Sequence, residues 1–275
     1  MGGRGSSSGI SDKGKKYGTE YKAVAQLGEI KVVRVKDSGS VTAPIETITK
    51  NRVYATIDKK GDIKHITFYD TYGERVKQID VNKVENSNFD IVTDVDSTRR
   101  NKAVRLVENL LNSVSSKMPV KIELPQVAVV DFKKHSFGVD AIGGYDRTTG
   151  ILYINSKYNT ASKIIAYVNK QKDMFANKTE FAPLLHELGH KYYYDSIKNL
   201  AKAKNIEYNK AKKIIDDRIY DYIHERNSDG KFLLNNLSVY SNNGYLKGQY
   251  TEVIAEAFSV VENNSIADEL TKLTR

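Results

Sequence analysis

The chain contains no cysteine. Disulfides, iron–sulfur clusters and every thiolate zinc site are therefore excluded, and a soft-metal site would have to be assembled from carboxylates and the five histidines present. The chain also lacks any stretch approaching the roughly 18 consecutive apolar residues of a membrane span. Its opening residues, Met-Gly-Gly-Arg-Gly-Ser-Ser-Ser-Gly, lack the apolar core of a signal peptide. The expectation is a soluble protein, cytoplasmic at synthesis and without a membrane partner. Signal-independent export and association with a phage particle stay open.

What is present is enough to build a core, since 40% of the 275 residues are apolar. The formal net charge of +9 would suit a nucleic acid or another acidic partner. However, Lys191, Lys198, Lys202, Lys204, Lys210, Lys212 and Lys213 are interspersed with apolar residues at helical spacing, the pattern of solvated helix faces. No stripe interleaves aromatic with basic residues, so a nucleic-acid partner is disfavoured.

Composition divides the chain into four parts. Residues 1–15 are Gly, Ser and Lys rich and read as a disordered tail. Residues 16–85 read as a small antiparallel β domain. Its short alternating runs, Ile30 to Val35, Arg52 to Ile57, Ile63 to Tyr69 and Arg75 to Ile79, are separated by glycine-bearing turns. Residues 86–96, within the polar stretch Asn82 to Asp96, read as a linker. Residues 97–275 read as a second domain.

In that domain Ser97 is a candidate cap for a helix presenting Val104, Val107, Leu110, Leu111 and Val114. Val120 to Glu123, Gln126 to Phe132 and Gly150 to Asn155 read as strands. Ala161 to Gln171, Glu180 to Lys204, Asn209 to Arg226 and Tyr250 to Asn263 read as helices. A small sheet followed by helices is an α+β arrangement.

The chemistry concentrates in Leu184-Leu185-His186-Glu187-Leu188-Gly189-His190. Residues four apart share a helix face, so both imidazoles can address one ion, with Glu187 beside them facing a bound water. Phe181, Leu184, Leu185 and Leu188 form the apolar stripe that seats this helix, and Thr179 with Pro183 mark its first turn. Two histidines flanking an acid are a costly filling for a core. A catalytic zinc takes three protein ligands and leaves one position for water, so one ligand must come from elsewhere. His65, His135 and His224 are candidates, each in a context that suits an ordinary surface or core histidine better than a ligand. The better source is Tyr250-Thr251-Glu252-Val253-Ile254-Ala255-Glu256-Ala257-Phe258, whose two carboxylates share one face of an otherwise apolar helix.

The pair His-Glu-Leu-Gly-His and Glu-Val-Ile-Ala-Glu-Ala-Phe resembles the signature helices of the gluzincin metallopeptidases, most of all the anthrax lethal factor-like family, over residues 178 to 262. The resemblance implies a zincin-like metallopeptidase domain holding one zinc through His186, His190 and Glu252. It implies Glu187 as general base, Glu256 as the acid that orients a ligand histidine, and a peptide substrate laid along an edge strand at Gly150 to Asn155. It also implies a tyrosine that hydrogen-bonds the oxyanion. The family's offset of seven residues before the third ligand selects Tyr245, whereas the local sequence Leu237-Ser238-Val239-Tyr240-Ser241-Asn242 selects Tyr240. Tyr240 requires an insertion, read here as a surface loop through Asn242-Asn243-Gly244 and Lys247-Gly248.

The opening Met-Gly-Gly-Arg-Gly and Tyr17-Gly18-Thr19-Glu20-Tyr21 resemble phage and prophage proteins associated with minor head components. They imply a docking module and a phage-particle or host-protein partner. The expected function is therefore zinc-dependent endopeptidase activity on a protein or peptide. The rival readings are a non-catalytic phage docking protein with a zincin fold and a basic nucleic-acid-binding protein.

Overall fold

The computed structural model describes residues 30–34, 52–58, 63–69, 75–98, 100–135, 140–147, 150–261 and 263–275. The tail expected over 1–15, the phage-like segments and the glycine-bearing turns of the first domain lie outside these residues. The described residues fall into two compact units. One runs to Glu108 and resumes over Pro125–Asn159, and the other comprises Asn109–Leu124 and Thr160–Arg275.

In the first unit β1 (Ile30–Arg34), β2 (Arg52–Asp58), β3 (Ile63–Tyr69) and β4 (Arg75–Asp80) form an antiparallel meander in chain order. These are the four alternating runs, as their period of two requires. Ile66, opposite Ala55 on one side and Ile79 on the other, is fully buried, as is Ile79.

A second sheet has the order β5 (Asn82–Lys83), β6 (Ile91–Thr93), β7 (Gln126–Val130), β9 (Ile151–Asn155), β8 (Gly143–Asp146). Strands β6, β7 and β9 are parallel, while β5 and β8 add antiparallel at the edges. Val127 to Val130 and Ile151 to Ile154 are buried without interruption, as expected of parallel strands covered on both faces.

Two expectations are corrected here. The stretch 86–96 is not a linker, because Ile91, Val92 and Thr93 inside it form a completely buried strand paired on both sides. Three residues are too short a run to show periodicity within polar surroundings. Nor is Gly150 to Asn155 an edge strand, because Gly143–Asp146 pairs antiparallel along it, with Gly150 N donating to Asp146 O, and β8 is the edge among the described residues.

Helix α1 (Lys102–Val114) buries the expected apolar face, but Asn101, not Ser97, caps it. Asn101 Oδ1 accepts from the backbone N–H of Ala103 at 2.8 Å and of Val104 at 3.3 Å. Val120 to Glu123 belongs to no strand among the described residues.

The second unit is helical: α2 (Ala161–Lys170), α3 (Ala182–Lys204), α4 (Tyr208–His224), α5 (Phe232–Asn236), α6 (Val239–Leu246), α7 (Tyr250–Ser259) and α8 (Ser265–Lys272). The helix expected to reach Asn263 stops at Ser259. Asn264 then caps α8, its Oδ1 accepting from Ile266 N and Ala267 N at 3.0 Å each. Sheets followed by helices make a mixed α and β chain, compatible with the α+β class. No helix among the described residues is long and apolar enough to cross a membrane.

The packing that matters most is that of α7 along α3. A Cβ on Gly189 would lie 2.6 Å from Ala255 Cα and 2.9 Å from Phe258 Cβ. Only glycine lets the two backbones come this close. The approach carries the polar groups of α7 onto the histidine face of α3.

Candidate metal centre

Helix α3 buries Leu184, Leu185 and Leu188 together with His186, Glu187 and His190. Three polar side chains are thus held in a dry interior, where each needs a partner or a ligand. His186 Nε2 and His190 Nε2 are 3.1 Å apart, and Glu252 Oε2 from α7 lies 3.4 Å from each. Among the described residues these three are the group whose ligand atoms converge closely enough to hold a metal ion.

The outer atoms of the two imidazoles fix how the inner ones point. His186 Nδ1 donates to Glu256 Oε1 at 2.7 Å, and His190 Nδ1 donates to Thr251 Oγ1 at 2.8 Å, as assigned from their partners. When both imidazoles are neutral, with their Nδ1 protons used in this way, each Nε2 presents a lone pair toward the other and toward Glu252. Glu252 Oε2 is buried, and no donor hydrogen-bonds to it. Three electron-rich atoms facing one point without a donor between them call for a cation.

Metal-free electrostatics agree. Burial pushes the Glu252 carboxyl up, but the His190 and His186 imidazoles outweigh it and hold the group far below the usual carboxylate range. Burial likewise opposes charge on His186. Glu252 and Glu256 outweigh that effect and raise it well above an ordinary imidazole, so a proton supplies the positive charge when a metal does not.

Glu256 is fully buried and holds more than a histidine. Its Oε2 accepts from Ala176 N at 2.6 Å, while Asn177 Nδ2 donates to Ser259 O at 2.7 Å. The segment leading into α3 is thereby pinned to the C-terminal turn of α7. Phe175, in that segment, stands edge-on to His186 with ring centroids 6.4 Å apart.

The two candidate tyrosines separate. Tyr240 on α6 is 5.5 Å from His186 between ring centroids. Burial, followed by the charges of Glu252, Glu187 and Glu256, pushes its phenol well up, so it stays protonated and able to donate. Tyr245 is not brought to the cluster. It stacks on Tyr220 at 6.0 Å and meets Tyr250 at 6.3 Å, and the expectation for this residue is withdrawn.

Helical phase is the reason. Gly244 shares a face with Tyr240 and lies against Glu252, where a Cβ would come within 2.7 Å of Glu252 Cβ, and the next residue points about 100° away. The Asn242-Asn243-Gly244 stretch read as a loop is part of α6. A capping box between Ser238 and Ser241 starts the helix, and Ser241, Asn242 and Gly244 are buried.

Glu187 is buried, and its charge raises both His186 and Tyr240, so it lies within electrostatic reach of both. Of the remaining histidines, His65 pairs across β3 with Thr56 and Asp80, His135 bonds Asp94, and His224 stacks on Tyr220. Thr251 and the Ala176 N–H were not anticipated. The hydroxyl beside Glu252 was a readable signal for the first, whereas a backbone donor leaves no trace in side-chain pattern. Comparison with protein-family profiles, with curated proteins and with solved structures finds no match for this chain.

Proposed function

We propose that the chain is a zinc-dependent endopeptidase with a zincin-like catalytic domain. The observation that carries this reading is the size of the triangle formed by His186, His190 and Glu252. Zinc–nitrogen and zinc–oxygen distances of about 2.0–2.1 Å put the ligand atoms of a tetrahedral site about 3.3–3.4 Å apart. The separations here are 3.1, 3.4 and 3.4 Å. Two nitrogens and one oxygen in this face, without sulfur, make a catalytic donor set that leaves a fourth position for water.

Zinc, when bound, supplies Lewis acidity and brings the pKa of a water in its open position down to about 7. The residues of the chain do the rest. Glu187, buried on α3, accepts the proton of the attacking water and returns it to the departing amine. Tyr240, held protonated by burial and by the carboxylates around it, donates to the oxyanion that develops on the scissile carbonyl. Glu256 and Thr251 keep the imidazoles turned so that their Nε2 atoms face inward. The resemblance of both helices to gluzincin signatures directs this chemistry to a peptide bond.

The test is cleavage-site proteomics with wild type against Glu187→Gln, each with its zinc content measured. Zinc should be unchanged, while cleavage should fall by about a hundred- to ten-thousandfold. Undiminished cleavage by the variant would remove the mechanism.

A further inference from the structure

Between Pro119 and Pro125 the chain reads Val-Lys-Ile-Glu-Leu. Val120, Ile122 and Leu124 are half-buried, while Lys121 and Glu123 are exposed. That is the period of a strand lying with one face on the protein. The prolines also bias the residues before them, Met118 and Leu124, toward extended backbone. Yet no backbone group of Val120 to Leu124 hydrogen-bonds to any described residue. The segment has the composition and alternation of a strand and, among the described residues, no strand to pair with.

The same residues form one wall of a cleft of about 530 Å³. The opposite wall is the part of α3 beyond the histidines, with Lys191, Asp195, Asn199 and Leu200. A cleft of this size can enclose a ligand, since binding pockets run from about 300 to 1,000 Å³. Its charges nearly cancel. Lys121 stands with Glu123 on one wall, and Lys191 is ion-paired with Asp195 on the other. Arg275 donates through Nε to the Tyr192 hydroxyl at 3.4 Å. A near-neutral cleft does not select a polyanion such as a nucleic acid. A row of backbone donors and acceptors with no partner among the described residues selects another polypeptide backbone.

We propose that Val120–Leu124 is a docking edge to which an extended, near-neutral segment of a partner protein adds as a strand, placing an apolar side chain in the cleft against Leu200. The site uses none of the metal ligands, so it stands whether or not the peptidase reading does.

The probe is a library of short random peptides selected on the full-length protein, with the tightest binder then synthesised. Its binding should slow amide exchange at alternate residues of Val120–Leu124 by about tenfold or more, as new ladder hydrogen bonds form. N-methylation of alternate peptide residues should weaken binding about tenfold or more, while methylation of the residues between them changes little. This arm leaves the protein unaltered. Ile122→Pro, which deletes one donor of the edge, should weaken binding similarly, and chelation of metal should have no effect. Failure to recover a peptide, protection confined to other residues or loss of binding on chelation would each overturn the proposal. Concentration-dependent protection of the same amides without peptide would also overturn it, since the edge would then pair with a second copy of the chain.

Discussion

Among the described residues His135 and His186 are both buried and hydrogen-bonded to a carboxylate, and of these two only His186 belongs to a candidate site. In the first unit His135 Nε2 bonds Asp94 Oδ2, and Asp94 Oδ1 accepts from Asp131 N at 3.1 Å. Both carboxylate oxygens thus have partners. In the second unit His186 takes its acid, Glu256, on the outer nitrogen. Its inner nitrogen is turned toward His190 and Glu252, and Glu252 Oε2 has no donor. A buried histidine with an acid is therefore not in itself a metal ligand. What distinguishes the second cluster is that lone pairs are left over and point at one place.

The comparison breaks most easily at the leftover carboxylate. Glu252→Ala removes one of the three proposed ligands and is expected to abolish stoichiometric zinc, measured by elemental analysis, with a loss of affinity of about a thousandfold or more. Asp94→Ala should leave zinc untouched and instead lower stability by about 1–3 kcal/mol, because it removes the buried carboxylate that bonds both His135 Nε2 and the Asp131 N–H. Zinc lost from Asp94→Ala but kept by Glu252→Ala would invert the comparison.

A second cut separates the tyrosines. If Tyr240 donates to the oxyanion, Tyr240→Phe should lower the turnover rate by about a hundredfold or more with little change in zinc content, whereas Tyr245→Phe should be nearly silent. Steady-state kinetics on one cleaved peptide decides this, and the reverse order would restore the residue chosen by offset.

That contrast also shows how far the sequence could be read. The histidine pair was legible because its spacing is the helical repeat and its surroundings are apolar. Glu252 and Glu256 were legible because two acids stand where a core should be. Helix α6 was not, since Asn242-Asn243-Gly244 carries turn-forming residues whose helical state depends on burial and on the room Gly244 leaves for Glu252. Strand β6 was hidden for a related reason. Its three residues acquire meaning only between β5 and β7, which lie on either side of it in space and far apart in the chain. Spacing within one element survives in the sequence, while packing between elements mostly does not.

Acid should sharpen the same distinction. Because Glu252 and Glu256 hold His186 well above the ordinary imidazole value against the opposing effect of burial, the metal-free site is protonated at neutral pH. Zinc entering the proposed site would have to displace that proton. Below the raised pKa, apparent affinity should fall about tenfold per pH unit, and above it the dependence should flatten. Calorimetry in buffers of differing ionisation enthalpy should find about one proton released per zinc bound near neutrality. Release of none would mean that His186 is already neutral.

The smallest expected effect lies in the difference between the two outer partners. Glu256 offers His186 a fully buried carboxylate, whereas Thr251 offers His190 a neutral hydroxyl on a half-buried residue. A charge-assisted hydrogen bond is roughly twice as strong as a neutral one, and outer partners of zinc-bound histidines are worth about 10–100-fold in affinity. Glu256→Gln, which keeps an acceptor but removes the charge, should fall in that range. Thr251→Val, similar in shape but lacking the acceptor, should weaken zinc by about three- to tenfold, and Thr251→Ser should restore it. Competition titrations against a chelator of known affinity resolve these steps. If Thr251→Val proves as damaging as Glu256→Gln, the hydroxyl holds His190 as firmly as the carboxylate holds His186, and the two arms of the site are equivalent despite their different chemistry.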